Sequence, residues 1–95
     1  MNAEQQLINR YILLIKTARP GIGSIKNEEG GLDLNHLLWM LEKMASPVFI
    51  PKTSNEHWLG WVQAGLYYHR LIHIKHEKDI TRDLFKQQVS TNVLT

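Results

Sequence analysis

The 95-residue chain contains no cysteine. It can therefore form no disulfide bond and offer no thiolate to a metal ion, which excludes disulfide-stapled scaffolds, zinc ribbons and thiol catalysis. The absence of cysteine is also typical of proteins in a reducing cytoplasm. A domain of this length buries only roughly 60–65% of the surface that its unfolded chain exposes, so we expect a small stability margin.

Charge of one sign is not concentrated anywhere in the chain. The 11 basic and 9 acidic side chains are mixed along the sequence and leave a formal net charge of +2. A DNA mimic would be strongly acidic, and a dedicated nucleic-acid binder usually gathers lysine and arginine on one face. The composition therefore favours neither class.

Long apolar runs are missing as well. The apolar stretch near the N-terminus follows Glu4 and is interrupted by Arg10. It is too short and too polar for a signal peptide or a membrane span. We therefore expect a cytoplasmic protein that does not enter a membrane.

Helical periodicity is the main signal that the sequence does contain. Apolar residues at intervals of three and four predict a first helix from Ala3 to Ala18, capped by Asn2 and ended by Pro20. The same spacing predicts a second helix from Leu34 to Met44, capped by Asp33. In this second helix we expect two large side chains, Trp39 and Met40, to point away from the apolar face.

The segment between these helices is predicted to be a loop. Residues 21–31 hold four glycines and no periodicity, which indicates a mobile connector. The GIGS sequence in it lacks the preceding strand, the following helix and the lysine of a phosphate-binding loop. We therefore expect no cofactor at this position.

The second half of the chain predicts two more helices. Thr53 to Glu56 form a capping box in front of a third helix, whose apolar line is Leu59, Val62 and Leu66. Alternating residues indicate a break between Arg70 and His73, before a fourth helix from Ile74 to Gln88. Two stretches lie outside the helices: Val48 to Ile50, an extended plug for the core, and residues 89–95, a frayed tail. The sequence predicts a single all-α domain, a bundle of about four helices.

Apolar surface exceeds what four short helices in one monomer usually hide, which favours contact with another protein. In the third helix Gly60 and Ala64 leave a groove where a second backbone can come close. A homodimer would pair this helix with its copy across a two-fold axis. The candidate partner-binding residues are Trp39, Trp58, Gly60, Trp61, Ala64 and Tyr68.

Two other kinds of site stay open on the sequence alone. On one uninterrupted helix His69, His73 and His76, joined by Asp83, would share a face and could bind zinc or nickel. Alternatively, the aromatic residues from Trp58 to Tyr68 could stack nucleic-acid bases. The basic residues for that function are Arg70, Lys75, Lys78, Arg82 and Lys86, and the interleaved acids Glu77, Asp79 and Asp83 indicate a solvated face.

Catalysis has little support in the residues. The nearest approach to a catalytic group is His57 beside Glu56 and Ser54. These residues lie in the first turn of a predicted helix, where capping already accounts for Glu56 and Ser54. We therefore predict a protein that is not an enzyme, with no catalytic residue and no cofactor.

Three segments carry a family resemblance. LNHLLWML at Leu34–Leu41, HWLGWVQAGL at His57–Leu66 and EKDITR at Glu77–Arg82 resemble small proteins encoded by tailed bacteriophages and prophages of enteric bacteria. Ala64 and Arg70 depart from this pattern, because the family tends to have glycine at both positions. The resemblance implies a phage accessory protein in the cytoplasm of the bacterial host. Such proteins commonly bind and redirect or block a host protein, including defence and nuclease systems.

Overall fold

The computed structural model describes the backbone of residues 2–46 and 52–94 and the side chains of residues 2–46 and 57–87. These residues form four α-helices and no strand, which confirms the predicted all-α class. The helices are α1 Ala3–Ala18, α2 Leu34–Ala45, α3 Lys52–Tyr68 and α4 Ile74–Leu94. α1 packs against α2 and α4, and α2 also packs against α3.

The first two helices begin where their caps predict. The side chain of Asn2 accepts a hydrogen bond of 2.8 Å from the Gln5 amide, and the Gln5 side chain accepts one of 3.1 Å from the Asn2 amide. Asp33 accepts a bond of 3.1 Å from the amide of His36. Each cap satisfies amides that have no partner in the first turn of its helix.

The predicted ends of the other two helices are wrong at one side each. α3 begins at Lys52, so Thr53 lies inside the helix. The side chains of the predicted capping box Thr53–Glu56 lie outside the described residues. The predicted plug Val48–Ile50 also lies outside them. α4 continues to Leu94, past the predicted end at Gln88 and through most of the predicted tail. Residues 89–94 contain no proline or glycine, so nothing local stops the helix.

The break between α3 and α4 is confirmed, and its geometry explains it. The amide of Leu71 donates to the carbonyl of Leu66 at 2.9 Å, and the amide of Arg70 donates to that of Tyr67 at 2.9 Å. These two bonds form a Schellman motif, which turns the chain through a residue in the left-handed region. That residue is Arg70, with a φ of 61°.

This conformation of Arg70 gives a first prediction about stability. A side chain in the left-handed region costs about 1 kcal/mol relative to glycine, which adopts it without a Cβ clash. Arg70→Gly should therefore raise the free energy of unfolding by roughly 0.5–1 kcal/mol. Urea denaturation measures the change, and a loss of stability would mean that the arginine side chain stabilises the turn.

The core lies between α1, α2 and α3. Tyr11, Leu37 and Leu66 have no exposed surface. The buried residues include the predicted apolar line of α3, and also Met40, which was expected to point away from the apolar face. The prediction for Met40 is wrong because α2 packs against helices on two sides. Ala18, the last residue of α1, is exposed.

Close packing of α3 occurs at a different glycine from the one predicted. A Cβ built on Gly65 would lie 2.5 Å from Cδ1 of Leu37 in α2, whereas one built on Gly60 would meet nothing within 4 Å. The absence of a side chain at Gly65 lets α3 approach α2 closely. The predicted groove at Gly60 and Ala64 is not filled by the described part of the chain.

A buried carboxylate links α4 to α1. Glu77 is 3% exposed, and Arg10 donates two hydrogen bonds to it, at 3.2 Å and 2.6 Å. Tyr11 donates a third, at 2.9 Å, and its hydroxyl accepts one of 2.8 Å from Gln63 of α3. The expectation that Glu77 lies on a solvated face is therefore wrong. Its ion pair with Arg10 stabilises the charged carboxylate in a buried position.

This network predicts a dependence of stability on pH. Burial alone would raise the pKa of Glu77, but the hydrogen bonds from Arg10 and Tyr11 outweigh it, so the pKa lies below its ordinary value of 4.5. The unfolded chain then binds the proton more tightly. The stabilisation is complete above pH 4.5 and is lost as the pH falls through the folded pKa. The urea midpoint of unfolding should fall when the pH is lowered from above to below 4.5, and this fall should be smaller in Glu77→Gln than in the unmodified protein.

Candidate protein-binding surface

From residue 57 to residue 68, one side of α3 is turned to solvent. We call this side the α3 face. Its residues recur at intervals of three and four, which places them on one side of a helix. All of them are exposed: His57, Gly60, Trp61, Ala64, Tyr67 and Tyr68. The opposite side carries Leu59, Val62 and Leu66, which are buried in the core.

The α3 face is apolar and uncharged although it is exposed. Trp61, Tyr67 and Tyr68 are 45%, 55% and 67% exposed. No aspartate, glutamate, lysine or arginine occurs from residue 57 to residue 69. A solvent-facing helix normally carries charged residues on its outer side, and a clustered apolar patch in their place is typical of a contact surface.

The centre of the face is a shallow depression between aromatic rings. Gly60 and Ala64 lie one turn apart and are both exposed. No atom of the described residues lies within 4 Å of a Cβ built on Gly60. Small residues one turn apart allow a second helix to approach its backbone closely, as in the helix pairs that use such spacing.

The rings beside this depression are held in place by the loop before α2. The indole nitrogen of Trp61 donates to the carbonyl of Gly31 at 2.9 Å. The Nε2 atom of His69 lies 2.7 Å from the carbonyl of Leu32, so it donates a hydrogen bond there. The ring of Tyr68 packs edge-on against that imidazole, with centroids 5.2 Å apart. Both aromatic side chains are therefore oriented before any partner binds.

The loop itself is anchored to α2, and the prediction of a mobile connector missed these contacts. The amide of Ile25 donates to the carbonyl of Asn35 at 3.1 Å, and the amide of Asn27 donates to Nδ1 of His36 at 3.0 Å. The side chain of Asn27 also donates to Asp33 at 3.3 Å. Burial opposes ionisation of Asp33, but its hydrogen bonds from Asn27 and the His36 amide leave its pKa below the ordinary value.

Two of the candidate partner-binding residues lie elsewhere. Trp39 of α2 and Trp58 of α3 are half-buried, with ring centroids 5.8 Å apart, and both pack against the core. His36 stacks on Trp39 at 5.6 Å, and the amino groups of Lys26 and Lys43 lie 5.5 Å and 5.9 Å from the Trp39 ring centroid. This cluster joins α2 to α3. The other four candidates, Gly60, Trp61, Ala64 and Tyr68, share the α3 face.

The three candidate metal ligands are separated by the break. His69 directly follows α3 and is hydrogen-bonded to Leu32, His73 lies just before α4, and His76 lies in α4. The expected fourth ligand, Asp83, lies 3.7 Å from the guanidinium of Arg82. Within the described residues no three histidine or acidic side chains come together in a way that could hold a metal ion.

The candidate basic residues form a stripe and one outlier. Lys75, Lys78, Arg82 and Lys86 recur at intervals of three and four along α4 and are exposed. Arg82 is paired with Asp79 at 3.2 Å as well as with Asp83. Arg70 lies apart from the stripe, at the end of α3.

A catalytic centre has no further support in the described residues. His57 is exposed in the first turns of α3, and the side chains of Ser54 and Glu56 lie outside the described part of the chain. The buried carboxylate of Glu77 is already occupied by Arg10 and Tyr11. Burial is the main reason that the pKa of Tyr11 rises to about 12, which keeps its hydroxyl protonated.

Sequence reasoning missed the residues that support the α3 face. Gly31, Leu32 and His69 orient Trp61 and Tyr68, but Gly31 and Leu32 act through backbone carbonyls that carry no signal in the sequence. A Cβ at Gly31 would lie 2.9 Å from Nδ2 of Asn27 and 3.0 Å from Oδ1 of Asp33, so glycine suits this position.

Two findings remain. None of the helices, over the described residues, has the length and apolarity needed to cross a bilayer.

Comparisons of the chain with protein-family models, with curated proteins and with solved structures found no match.

Proposed function

We propose that this protein is a non-enzymatic bacteriophage accessory protein that acts by binding another protein through the α3 face. One observation carries the proposal. The outer side of α3 is exposed and uncharged over residues 57–68, and its aromatic residues surround a depression at Gly60 and Ala64.

The energetics of such a contact support a protein partner. Large aromatic side chains bury 150–250 Å² each, so the exposed fractions of Trp61, Tyr67 and Tyr68 leave roughly 300 Å² of ring surface for a partner to cover. Tryptophan and tyrosine are also the residues that most often dominate binding energy. Because Trp61 and Tyr68 are already oriented by the loop, less side-chain entropy is lost on binding.

The choice of a host protein as the partner comes from the family resemblance. The segments Leu34–Leu41, His57–Leu66 and Glu77–Arg82 resemble phage and prophage proteins of enteric bacteria. On this basis we propose a partner in the cytoplasm of the bacterial host, a defence protein or a nuclease being the kind of target that such proteins block.

A lysine on the α3 face should abolish binding. Ala64→Lys places a flexible charge in the centre of the face, where a docked partner would have to remove it from water, so we expect at least about a hundredfold loss of affinity. Affinity capture from host cells, after nuclease treatment and in high salt, followed by mass spectrometry measures the loss. Ala18→Lys is the matched control, since Ala18 is exposed at the end of α1. Partner recovery that is equal in the two variants would contradict the proposal.

A second candidate function is binding to nucleic acid through α4. The observation that favours it is the inward position of Glu77, which removes one acidic residue from the side of α4 that carries Lys75, Lys78, Arg82 and Lys86. Binding of this kind depends on phosphate contacts, and log affinity falls by about 0.9 per contact for each tenfold rise in salt. Oligonucleotide titrations at several salt concentrations separate the two functions, because contact through the α3 face has little salt dependence.

A further inference from the structure

We infer that the partner carries a carboxylate that binds Arg70, next to an apolar helix that covers the α3 face. The inference rests on the proposed function and specifies its partner. It commits to a segment of one chemistry: a helix with small or apolar residues at the crossing point with Gly60 and Ala64, and an aspartate or glutamate at the edge that meets the end of α3.

The first argument is the conformation of Arg70. The turn after α3 requires a residue in the left-handed region, and Arg70 adopts it with a φ of 61°. Glycine is the residue that this position favours. A strained conformation that persists where an easier residue exists is a reason to look for function. Its effect here is to place an exposed guanidinium beside the apolar face.

The second argument is the groove in which Arg70 lies. Its volume is about 560 Å³, and one of its lining residues, Ile72, is only 6% exposed. The other lining residues are Tyr67, Tyr68, Arg70 and His73. Tyr67 and Tyr68 belong to the α3 face, so the groove continues that face at its C-terminal end.

The third argument is the charge at this end of the face. Among the described residues, none that lines the groove is a carboxylate, and the Arg70 side chain forms no ion pair. A guanidinium binds a carboxylate through two parallel hydrogen bonds, and adjoining apolar surface strengthens that pair by excluding water. The face and the groove together are therefore complementary to an apolar helix with an acidic edge.

A second copy of the chain fits this description less well. A homodimer that paired α3 with α3 would bring together two surfaces that hold no acidic residue from position 57 to position 69. The carboxylate for Arg70 would then be missing from the paired faces. The nucleic-acid alternative also fits less well, because the described residues that line the groove include only one arginine and one histidine as basic residues.

Selection from a display library of randomised helical peptides tests the inference. The library is panned against the full chain, and the affinity of the selected peptides is measured from the change in tryptophan fluorescence, to which the exposed Trp61 contributes. We expect enrichment of peptides with apolar or small residues on one side and an aspartate or glutamate near one end. Their affinity should fall about tenfold in Arg70→Gly, a variant that we expect to be at least as stable as the unmodified protein. Replacing the acidic residue of the peptide with its amide should cause a similar loss, and the two losses should not add.

The possible outcomes separate the inference from the proposed function. Peptides that lose binding in Ala64→Lys but are indifferent to Arg70→Gly and carry no acidic residue would overturn the inference and leave the α3 face as a binding surface. Peptides that are indifferent to Ala64→Lys would overturn both. If sedimentation shows a dimer that Ala64→Lys dissociates, the occupant of the face is a second copy of the chain. If an oligonucleotide binds more tightly than the peptides and its binding depends on Arg70, the occupant is nucleic acid. Either result overturns the inference.

Discussion

Glu77→Leu is expected to lower the free energy of unfolding by about 3 kcal/mol, because it removes one partner from a buried ion pair. Arg10 would lose both of its hydrogen bonds to the carboxylate, and the hydroxyl of the fully buried Tyr11 would lose its acceptor. This loss is at the lower end of those expected when one partner of a buried ion pair is removed, because the Arg10 side chain is 36% exposed and water can solvate it in part. Urea denaturation monitored by circular dichroism measures the loss.

Two further variants show whether the effect comes from the ion pair. Adding Arg10→Leu to Glu77→Leu should restore much of the stability, because an apolar pair in place of a buried ion pair is often neutral or stabilising. Asp79→Ala is the exposed control: its pair with Arg82 lies on the surface, so its loss should cost under about 1 kcal/mol. Equal effects of Glu77→Leu and Asp79→Ala would show that the buried network contributes little.

Gly65→Val should destabilise the fold by roughly 2–3 kcal/mol through overpacking. A Cβ at this position would lie 2.5 Å from Cδ1, 3.1 Å from Cδ2 and 3.3 Å from Cγ of Leu37, whose side chain is fully buried. The gain in helix propensity on replacing glycine offsets only a few tenths of a kcal/mol. Thermal and urea unfolding measure the change.

Gly60 supplies the matched control in the same helix. Gly60→Val adds the same side chain where no atom lies within 4 Å, so we expect a change within about 0.5 kcal/mol, in the stabilising direction. Both valines carry the same helix-propensity term, so the difference between the two variants isolates the contact with Leu37. Similar losses in both would mean that α3 does not approach α2 at Gly65.

Local signals explain the parts of the fold that the sequence predicts. Asn2 and Pro20 bound α1 through capping and through the missing amide of proline, and both act within one turn of the chain. The alternating residues after Arg70 predict the break, and the Schellman bonds of Arg70 and Leu71 form it. These features depend on neighbours in the sequence, so they can be predicted without knowledge of packing.

The parts that the sequence could not predict depend on distant residues. Gly60 and Gly65 look alike within α3, and only the position of Leu37 distinguishes them. Glu77 has the composition of a surface residue, and it is buried because Arg10, 67 positions earlier, lies opposite. The candidate surface was predicted in part: Gly60, Trp61, Ala64 and Tyr68 share the α3 face, whereas Trp39 and Trp58 pack between helices.

Photo-crosslinking at Ala64 in the native bacterial host tests the role of the α3 face most directly. A photoreactive amino acid replaces Ala64 in one variant and Ala18 in a second, and irradiated cells are analysed by electrophoresis and mass spectrometry. The proposal predicts that Ala64 gives one discrete crosslinked species containing a host protein, and that Ala18, exposed but outside the α3 face, does not. The same crosslinked products from both positions, or none from Ala64, would contradict it.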